Sequence, residues 1–488
     1  MDDRGPGFDL LIRNATLVDG TGAPARRADV AILGDRIAAV GALAAARAAR
    51  SIDGEGLVLA PGFIDVHSHD DRAVLARQTT LPKLSQGVTT VVVGNCGISL
   101  APLSPQAEPP APLNLLGDRA AFHFPTFASY VQALEAAPLA VNVVALVGHG
   151  TLRVARMGDW TGPAGPAEIA AMAEEVEAAM AAGAAGLSCG LAYPTSVAAS
   201  TAEVVVLARA AAQRGGRFCL HIRDEYDGVA PAVSEGFRIA RESGAFLVLS
   251  HQKVAGVANQ GRSRELLELY RREGEGLGYA IDAYPYTAGS TVLDPVSVAH
   301  SEKVLISWSQ PHPEAGGRTL EAIARDWGCT QAEAIERLQP AGAVYFHMSQ
   351  ADVNRFLGFE LCMVGSDGLP ADQHPHPRLW GAFARFLGLY VHEWGLFTLE
   401  EAVRKMTSLP AAVFGLAERG RVAPGCFADL VLFDPAAVRD RATYEHPREP
   451  ADGIRAVFVN GRQAWPEPGE APGGRFLRLE SKQGAAHA

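Results

Sequence analysis

Lysine is scarce in this chain: its 488 residues hold only five, at 83, 253, 303, 405 and 482, with none between 84 and 252. Acidic side chains outnumber basic ones, and a formal net charge of −11 argues against a polyanion such as nucleic acid as partner. A small anionic substrate held by a few local cations remains compatible with that balance. The six cysteines, at 96, 189, 219, 329, 362 and 426, include no Cys-x-x-Cys, a pattern of reduced cytosolic thiols and not of a disulfide framework. No apolar run is long enough to span a bilayer, and no charged segment followed by an apolar one opens the chain. The expectation is a cytoplasmic protein with neither a membrane nor a nucleic-acid partner.

Hydrophobic residues make up 48% of the chain, enough for a sizeable core. Its length suits one large barrel plus a smaller module. After a loose tail over residues 1–7, short β-rich pieces alternate with turns up to residue 60, and Gly34-Asp35 between two apolar runs signals a hairpin. From residue 61 apolar strands alternate with Ala-rich helical stretches, the grammar of βα units. Eight candidate strands run into His69, Cys96, His149, Cys189, His221, His251, Tyr284 and Asp367. Several of these ends fall about 30 residues apart, the length of one βα unit. The proline-rich stretch 102–117 cannot be helical throughout. A much longer gap before Asp367 holds an insertion of mixed structure, with helices expected at Glu321–Ala324 and Thr330–Leu338. Beyond Asp367 helices are expected at Leu379–Leu387, Leu399–Met406 and Pro410–Leu416. β character returns over Arg421–Phe433 and Ala456–Val459.

The fold expected is therefore α/β: a (β/α)8 TIM-like barrel over 61–418, with an insertion at about 287–345 before strand 8. A small β-sandwich is built from both chain ends, 8–60 and 419–480.

The chemistry sits in Pro-Gly-Phe-Ile-Asp-Val-His-Ser-His-Asp-Asp (61–71). Residues two apart on an extended backbone point to the same face, so His67 and His69 can aim at one point. A lone His-x-His is more often two surface histidines, but the other strand ends add Cys96, His221, His251 and Asp367. Catalytic groups in such barrels come from the carboxyl ends of several strands. Imidazole with thiolate favours zinc over cations that seek oxygen ligands. His149 and Cys189 also end strands and are read as packing residues. Asp367 is the candidate general base, since a carboxylate beside a zinc-activated water can carry its proton to a leaving amine.

The chain resembles the N-acyl-D-amino-acid deacylases (D-aminoacylases) of the metal-dependent amidohydrolase superfamily. Beyond 61–71, the matching stretches include Gly-Val-Thr-Thr-Val-Val-Val-Gly-Asn-Cys-Gly (87–97), Gly-His-Gly-Thr-Leu-Arg (148–153) and His-Ile-Arg-Asp-Glu (221–225). Leu-Ser-His-Gln-Lys (249–253), Asp-Ala-Tyr-Pro-Tyr (282–286), Gly-Ser-Asp-Gly (365–368), His-Pro-Arg (376–378) and Pro-Gly-Cys-Phe-Ala-Asp-Leu-Val (424–431) continue the match over nearly the whole chain. The resemblance implies a tight zinc on Cys96, His221 and His251, and a weaker second site on His67, His69 and Cys96. Many binuclear amidohydrolases bridge their metals with a carboxylated lysine. With none at the ends of strands two to five, the resemblance gives that place to Cys96, whose thiolate can carry the charge two cations need between them. It implies substrate contacts at Tyr193, Lys253, Tyr284, Ser290 and Arg378. Ala192 stands where relatives can carry an aromatic residue, which leaves side-chain specificity open. The activity implied is hydrolysis of N-acyl-D-amino acids. A cyclic-amide hydrolase of the hydantoinase or dihydroorotase kind is the alternative, against which the missing lysine weighs. A non-catalytic amidohydrolase-fold scaffold is a third reading, and such proteins usually lose ligands that this chain retains.

Overall fold

The computed structural model describes residues 7–76, 80–467, 469 and 471–479; all but residue 7 of the expected tail lies outside them. The first module comprises β1 (Phe8–Leu17), β2 (Arg26–Leu33), β3 (Arg36–Gly41), β4 (Ala48–Asp53) and β5 (Val58–Pro61). The Gly34-Asp35 turn joins β2 to β3 antiparallel, with Gly34 at φ 61°, a left-handed conformation that glycine adopts without a Cβ clash.

The barrel follows as β6 (Phe63–Asp65), β7 (Val88–Val93), a third strand split at Leu146 into β8 (Asn142–Ala145) and β9 (Val147–Gly148), β10 (Gly186–Gly190), β11 (Arg217–His221), β12 (Phe246–Leu249) and β13 (Tyr279–Ala283). The insertion then forms its own antiparallel sheet from β14 (Ala288–Val292), β15 (Lys303–Ser309) and β16 (Ala341–Phe346), before β17 (Cys362–Val364) completes the eight. Neighbouring strands pair in parallel. The ring closes where Ser68 meets Gly368 just past β6 and β17. Being covered on both faces, β7 carries Val-Thr-Thr-Val-Val-Val with every residue buried. Helices such as Pro166–Ala181, with Pro at its first turn, and Thr201–Ala212, capped by the Ser200 side chain, cover the outside.

β18 (Leu430–Phe433), β19 (Ile454–Val459) and β20 (Arg462–Trp465) return to the first module. β18 pairs antiparallel with β5, so both chain ends share one eight-stranded sheet. That sheet encloses a core separate from the barrel's, including Leu10, Ile12, Leu17, Ile32, Leu430 and Phe458.

The insertion helices fall at Leu320–Asp326 and Gln331–Leu338, as expected. One expectation is corrected: within Arg421–Phe433 only the last four residues are a strand. Residues 421–429 are a turn-rich connection held through Val422, Gly425 and Ala428 to the backbone of Asp19, Ile37 and Asp35. Pro424-Gly425, with Gly425 at φ 88°, turns the chain there.

Candidate metal and substrate site

His67, His69, Cys96, His221, His251 and Asp367 all converge at the carboxyl end of the barrel. One ligand atom from each of His67, His69, Cys96 and Asp367 lies within 4.8 Å of the others, and the same holds for Cys96, His221 and His251. Cys96 belongs to both groups. Its Sγ stands 3.2 Å from His67 Nε2 and 3.3 Å from His251 Nε2. Asp367 Oδ1 lies 3.3 Å from His69 Nε2 and 3.5 Å from His67 Nε2.

The backbone is bent to present these groups. Cys96, His251 and Asp367 have φ of 56°, 34° and 48°, the left-handed region that non-glycine residues rarely occupy. Such strain concentrates at functional sites, where the surrounding structure holds it in place. Gly365 lets the last strand approach: a Cβ there would stand 2.6 Å from the His67 Cβ. Behind the histidines, buried Lys83 places Nζ 2.8 Å from both Asp65 and Ser366 and 3.0 Å from Asp70. Asp65 also accepts from the Ser366 amide at 2.8 Å, so this cluster ties β6 to β17 where the barrel closes. Lys83 is thus committed to Asp65 and Asp70, which are outside both ligand groups.

Two orienting carboxylates escaped the sequence reading. Asp282 accepts from the His251 amide at 2.7 Å and lies 3.2 Å from His67 Nδ1. Glu225 lies 3.2 Å from His251 Nδ1 and 3.8 Å from His221 Nε2. A ligating histidine commonly directs its second ring nitrogen to such a partner, which fixes the ring. In the chain they stand within the matching stretches 282–286 and 221–225, two before Tyr284 and four after His221, with nothing there to mark an orienting role. His149 and Cys189 lie apart: His149 bonds Glu203 at 2.9 Å, and Cys189 is buried in the main core.

Burial alone would raise the Cys96 thiol and the Asp367 carboxyl. For Cys96 the neighbouring His67 and His251, and for Asp367 the Arg378 guanidinium and His251, outweigh burial and hold both well below their ordinary values. Burial alone would lower His67 and His69. Cys96 with Asp282 raises the first well above normal, and Asp367 with Cys96 brings the second to about 9. Without a cation, the two buried carboxylate and thiol groups thus favour proton uptake by the neighbouring imidazoles. A divalent cation satisfies the same charge demand, and thiolate, imidazole and carboxylate donors suit one.

A cavity of about 640 Å³ opens from this centre, walled in part by Tyr193, Lys253, Tyr284 and Ser290. Tyr193 places its ring 4.7 Å from that of His221 and bonds Thr291 Oγ1 through its hydroxyl at 3.2 Å. Lys253 Nζ lies 2.6 Å from Glu225 and 2.8 Å from His251 Nδ1. The Tyr284 hydroxyl and Ser290 Oγ are buried with no hydrogen-bond partner among the described residues. Arg378 is buried against these wall residues: its guanidinium is 4.5 Å over the Tyr284 ring, 2.9 Å from Asp367 Oδ2 and 3.0 Å from the Ser290 carbonyl.

A barrel of this kind with these ligands at its carboxyl end is the architecture of the amidohydrolases, and the "Amidohydrolase family" model matches residues 50–282 and 360–464, flanking the insertion. A D-aminoacylase of Alcaligenes xylosoxydans xylosoxydans is 51% identical over 94% of this chain and 95% of its own length. An N-acyl-D-aspartate deacylase of the same organism is 49% identical over 95% and 93%. The solved structure of N-acyl-D-glutamate deacylase from Bordetella bronchiseptica, complexed with zinc and a phosphonate mimic of the tetrahedral intermediate, superimposes with a TM-score of 0.94. It has 47% identity and covers 97% of this chain and 100% of its own. The chain belongs to the N-acyl-D-amino-acid deacylase (D-aminoacylase) family of the metal-dependent amidohydrolases. Among the described residues no helix is long and apolar enough to cross a membrane.

Proposed function

We propose that this chain hydrolyses the amide of N-acyl-D-amino acids, giving a carboxylate and a free D-amino acid, and that zinc serves the reaction. The observation that carries the reading is Cys96, a buried anionic sulfur shared by two groups of histidines. Cys96, His221 and His251 form the tight zinc site, and His67 and His69 with Cys96 the weaker one. Zinc held there supplies Lewis acidity toward the scissile carbonyl and lowers the pKa of water. Asp367 accepts the proton of the attacking water and returns it to the amide nitrogen as the C–N bond breaks. Arg378 pairs with the substrate's α-carboxylate, seconded by Lys253 and the hydroxyls of Tyr284 and Ser290, which lack internal partners. Tyr193 packs beside His221 and shapes the pocket. Residues 61–418 form the catalytic barrel, with an insertion at about 287–345, and 8–60 and 419–480 the two halves of the β module. The protein works in the cytoplasm.

The test compares N-acetyl-D-methionine, its L enantiomer and dihydrouracil as substrates, before and after chelation and zinc readdition. D-selective amide hydrolysis that disappears on chelation and returns with zinc is expected. Cys96→Ala should lose bound zinc and activity together. Full activity in metal-free protein, or faster turnover of the cyclic amide, overturns the proposal.

A further inference from the structure

Away from the metal ligands, the charged groups on the cavity wall are already committed. Arg223 makes a two-pronged bond to Glu235 at 2.8 and 2.9 Å, and Lys253 pairs with Glu225. Asp224 accepts from the amides of Tyr226 and Gly228, Asp227 from Asn259, and Asp294 from the Ser297 amide. Among the described residues, Asp224, Glu225, Asp227 and Asp294 thus face two wall cations, Arg223 and Lys253. A second carboxylate entering this cavity would find no uncommitted cation among the described wall residues and a surplus of negative charge.

His347, immediately after β16 in the insertion, is different. It is 5% exposed, lines the cavity, and neither ring nitrogen has a hydrogen-bond partner among the described residues. Burial, helped by the nearby Lys253 charge, lowers its pKa to about 4. At neutral pH the ring therefore offers one N–H donor and one lone pair, without charge. The Tyr345 and Tyr226 rings flank it at 6.1 and 6.0 Å. Gly289 keeps the space beside it open: a Cβ there would stand 3.3 Å from His347 Nε2 and 3.5 Å from the Tyr284 hydroxyl. A buried, neutral donor–acceptor pair facing a cavity lacks a complement until a ligand supplies one.

We propose that His347 reads the substrate side chain, and that this chain favours N-acyl-D-amino acids with neutral hydrogen-bonding side chains, carboxamides above all, over acidic ones. A carboxamide presents a carbonyl to the ring N–H and an amino group to the ring lone pair. A carboxylate of the same shape can satisfy only the first, and brings its charge into an acidic wall. The inference rests on the deacylase reading and sharpens its substrate class.

The experiment measures kcat/KM for N-acetyl-D-glutamine, N-acetyl-D-glutamate and N-acetyl-D-methionine at neutral pH. Glutamine and glutamate differ by a single NH2 for O⁻, so their ratio isolates charge and hydrogen bonding. The wild-type protein should favour D-glutamine over D-glutamate by about tenfold or more. His347→Leu, similar in bulk, should lose at least about tenfold more on D-glutamine than on D-methionine, and His347→Gln should restore part of the difference. Equal losses on D-glutamine and D-methionine would place His347 against a part common to all substrates and overturn the assignment. Wild-type turnover of D-glutamate equal to or above D-glutamine would overturn it without any variant. No turnover of any N-acyl-D-amino acid would overturn the deacylase reading itself, and this inference with it.

Discussion

Arg378 is the residue whose replacement separates two roles most cleanly. It is 1% exposed, and its Nη1 lies 2.9 Å from Asp367, itself 7% exposed. Two opposite charges at that distance attract by roughly 6 kcal/mol at an effective dielectric of 20, and removing one partner of a buried pair costs about 3–5 kcal/mol. Part of that falls on Asp367, whose carboxylate would lose the cation that holds its pKa down. This part is common to every substrate. A second part, about 2–4 kcal/mol for an interfacial charge pair, applies only to a substrate that brings a carboxylate. The assay compares kcat/KM of wild type and Arg378→Ala on N-acetyl-D-methionine and on the N-acetyl amine of the same chain without its carboxylate. The carboxylated substrate should lose about 30- to 1,000-fold more than the other, since each 1.4 kcal/mol is tenfold. Preference for D over L should narrow, because a clamped carboxylate is what forces the side chain of one enantiomer into the pocket and of the other into the wall. Arg378→Lys should recover only part, lacking the planar fork. Equal losses on the two substrates would refute the clamp and leave Arg378 as the partner of Asp367 alone.

Asp367→Asn keeps the side chain's shape but cannot accept a proton, so kcat should fall about 10²- to 10⁴-fold while zinc content stays near wild type. A loss of rate that only tracks loss of metal would make Asp367 a ligand and not the base. Glu203 tests the scaffold outside the site: buried, it bonds His149 at 2.9 Å and Arg153 still more closely. Burial alone would raise its pKa, but these partners depress it below the ordinary 4.5. Its contribution is therefore fully present above the unfolded value and is lost as pH falls through the lower folded one. Urea unfolding should show Glu203→Gln destabilised by about 3–5 kcal/mol at pH 7, because Arg153 is left buried without its anion. That gap should close as pH drops below 4.5. A gap of the same size at pH 7 and at the lowest pH where both proteins fold would refute the assignment.

The barrel was legible because its strands are buried on both faces and so read as apolar runs, as Val88–Val93 does. Several of the elements missed lack that pattern. β4, Ala-Ala-Arg-Ser-Ile-Asp, is largely exposed, and β20 carries Arg462 and Gln463 at an edge of the sheet. β14, Ala-Gly-Ser-Thr-Val, mixes small and polar residues that look like loop until they pair with β16. The helical stretch after Asp367 was expected as one helix over 379–387. It runs as α-helix Arg378–Arg385 and then widens to a π-helix over Phe386–Glu393, a change of hydrogen-bond register that no residue type announces.

At the site, the candidate ligands were legible because histidine and cysteine are rare enough that five placements at strand ends stand out. Carboxylates are common, so Asp282 and Glu225 carry no such signal, and their roles arise only from distances to His67, His221 and His251. His347 was invisible for another reason: it follows a strand of the insertion, outside the barrel's rhythm, and only folding brings it beside Tyr284. The scarcity of lysine does reach from sequence to mechanism. The lysines that approach the site, 83 and 253, each end against carboxylates, Asp65 with Asp70 and Glu225. The residue common to the two groups is Cys96, and its backbone at φ 56° places its sulfur between His67 and His251. Strain of that kind clusters at functional sites, and at Cys96 it sets a sulfur between two groups of imidazoles.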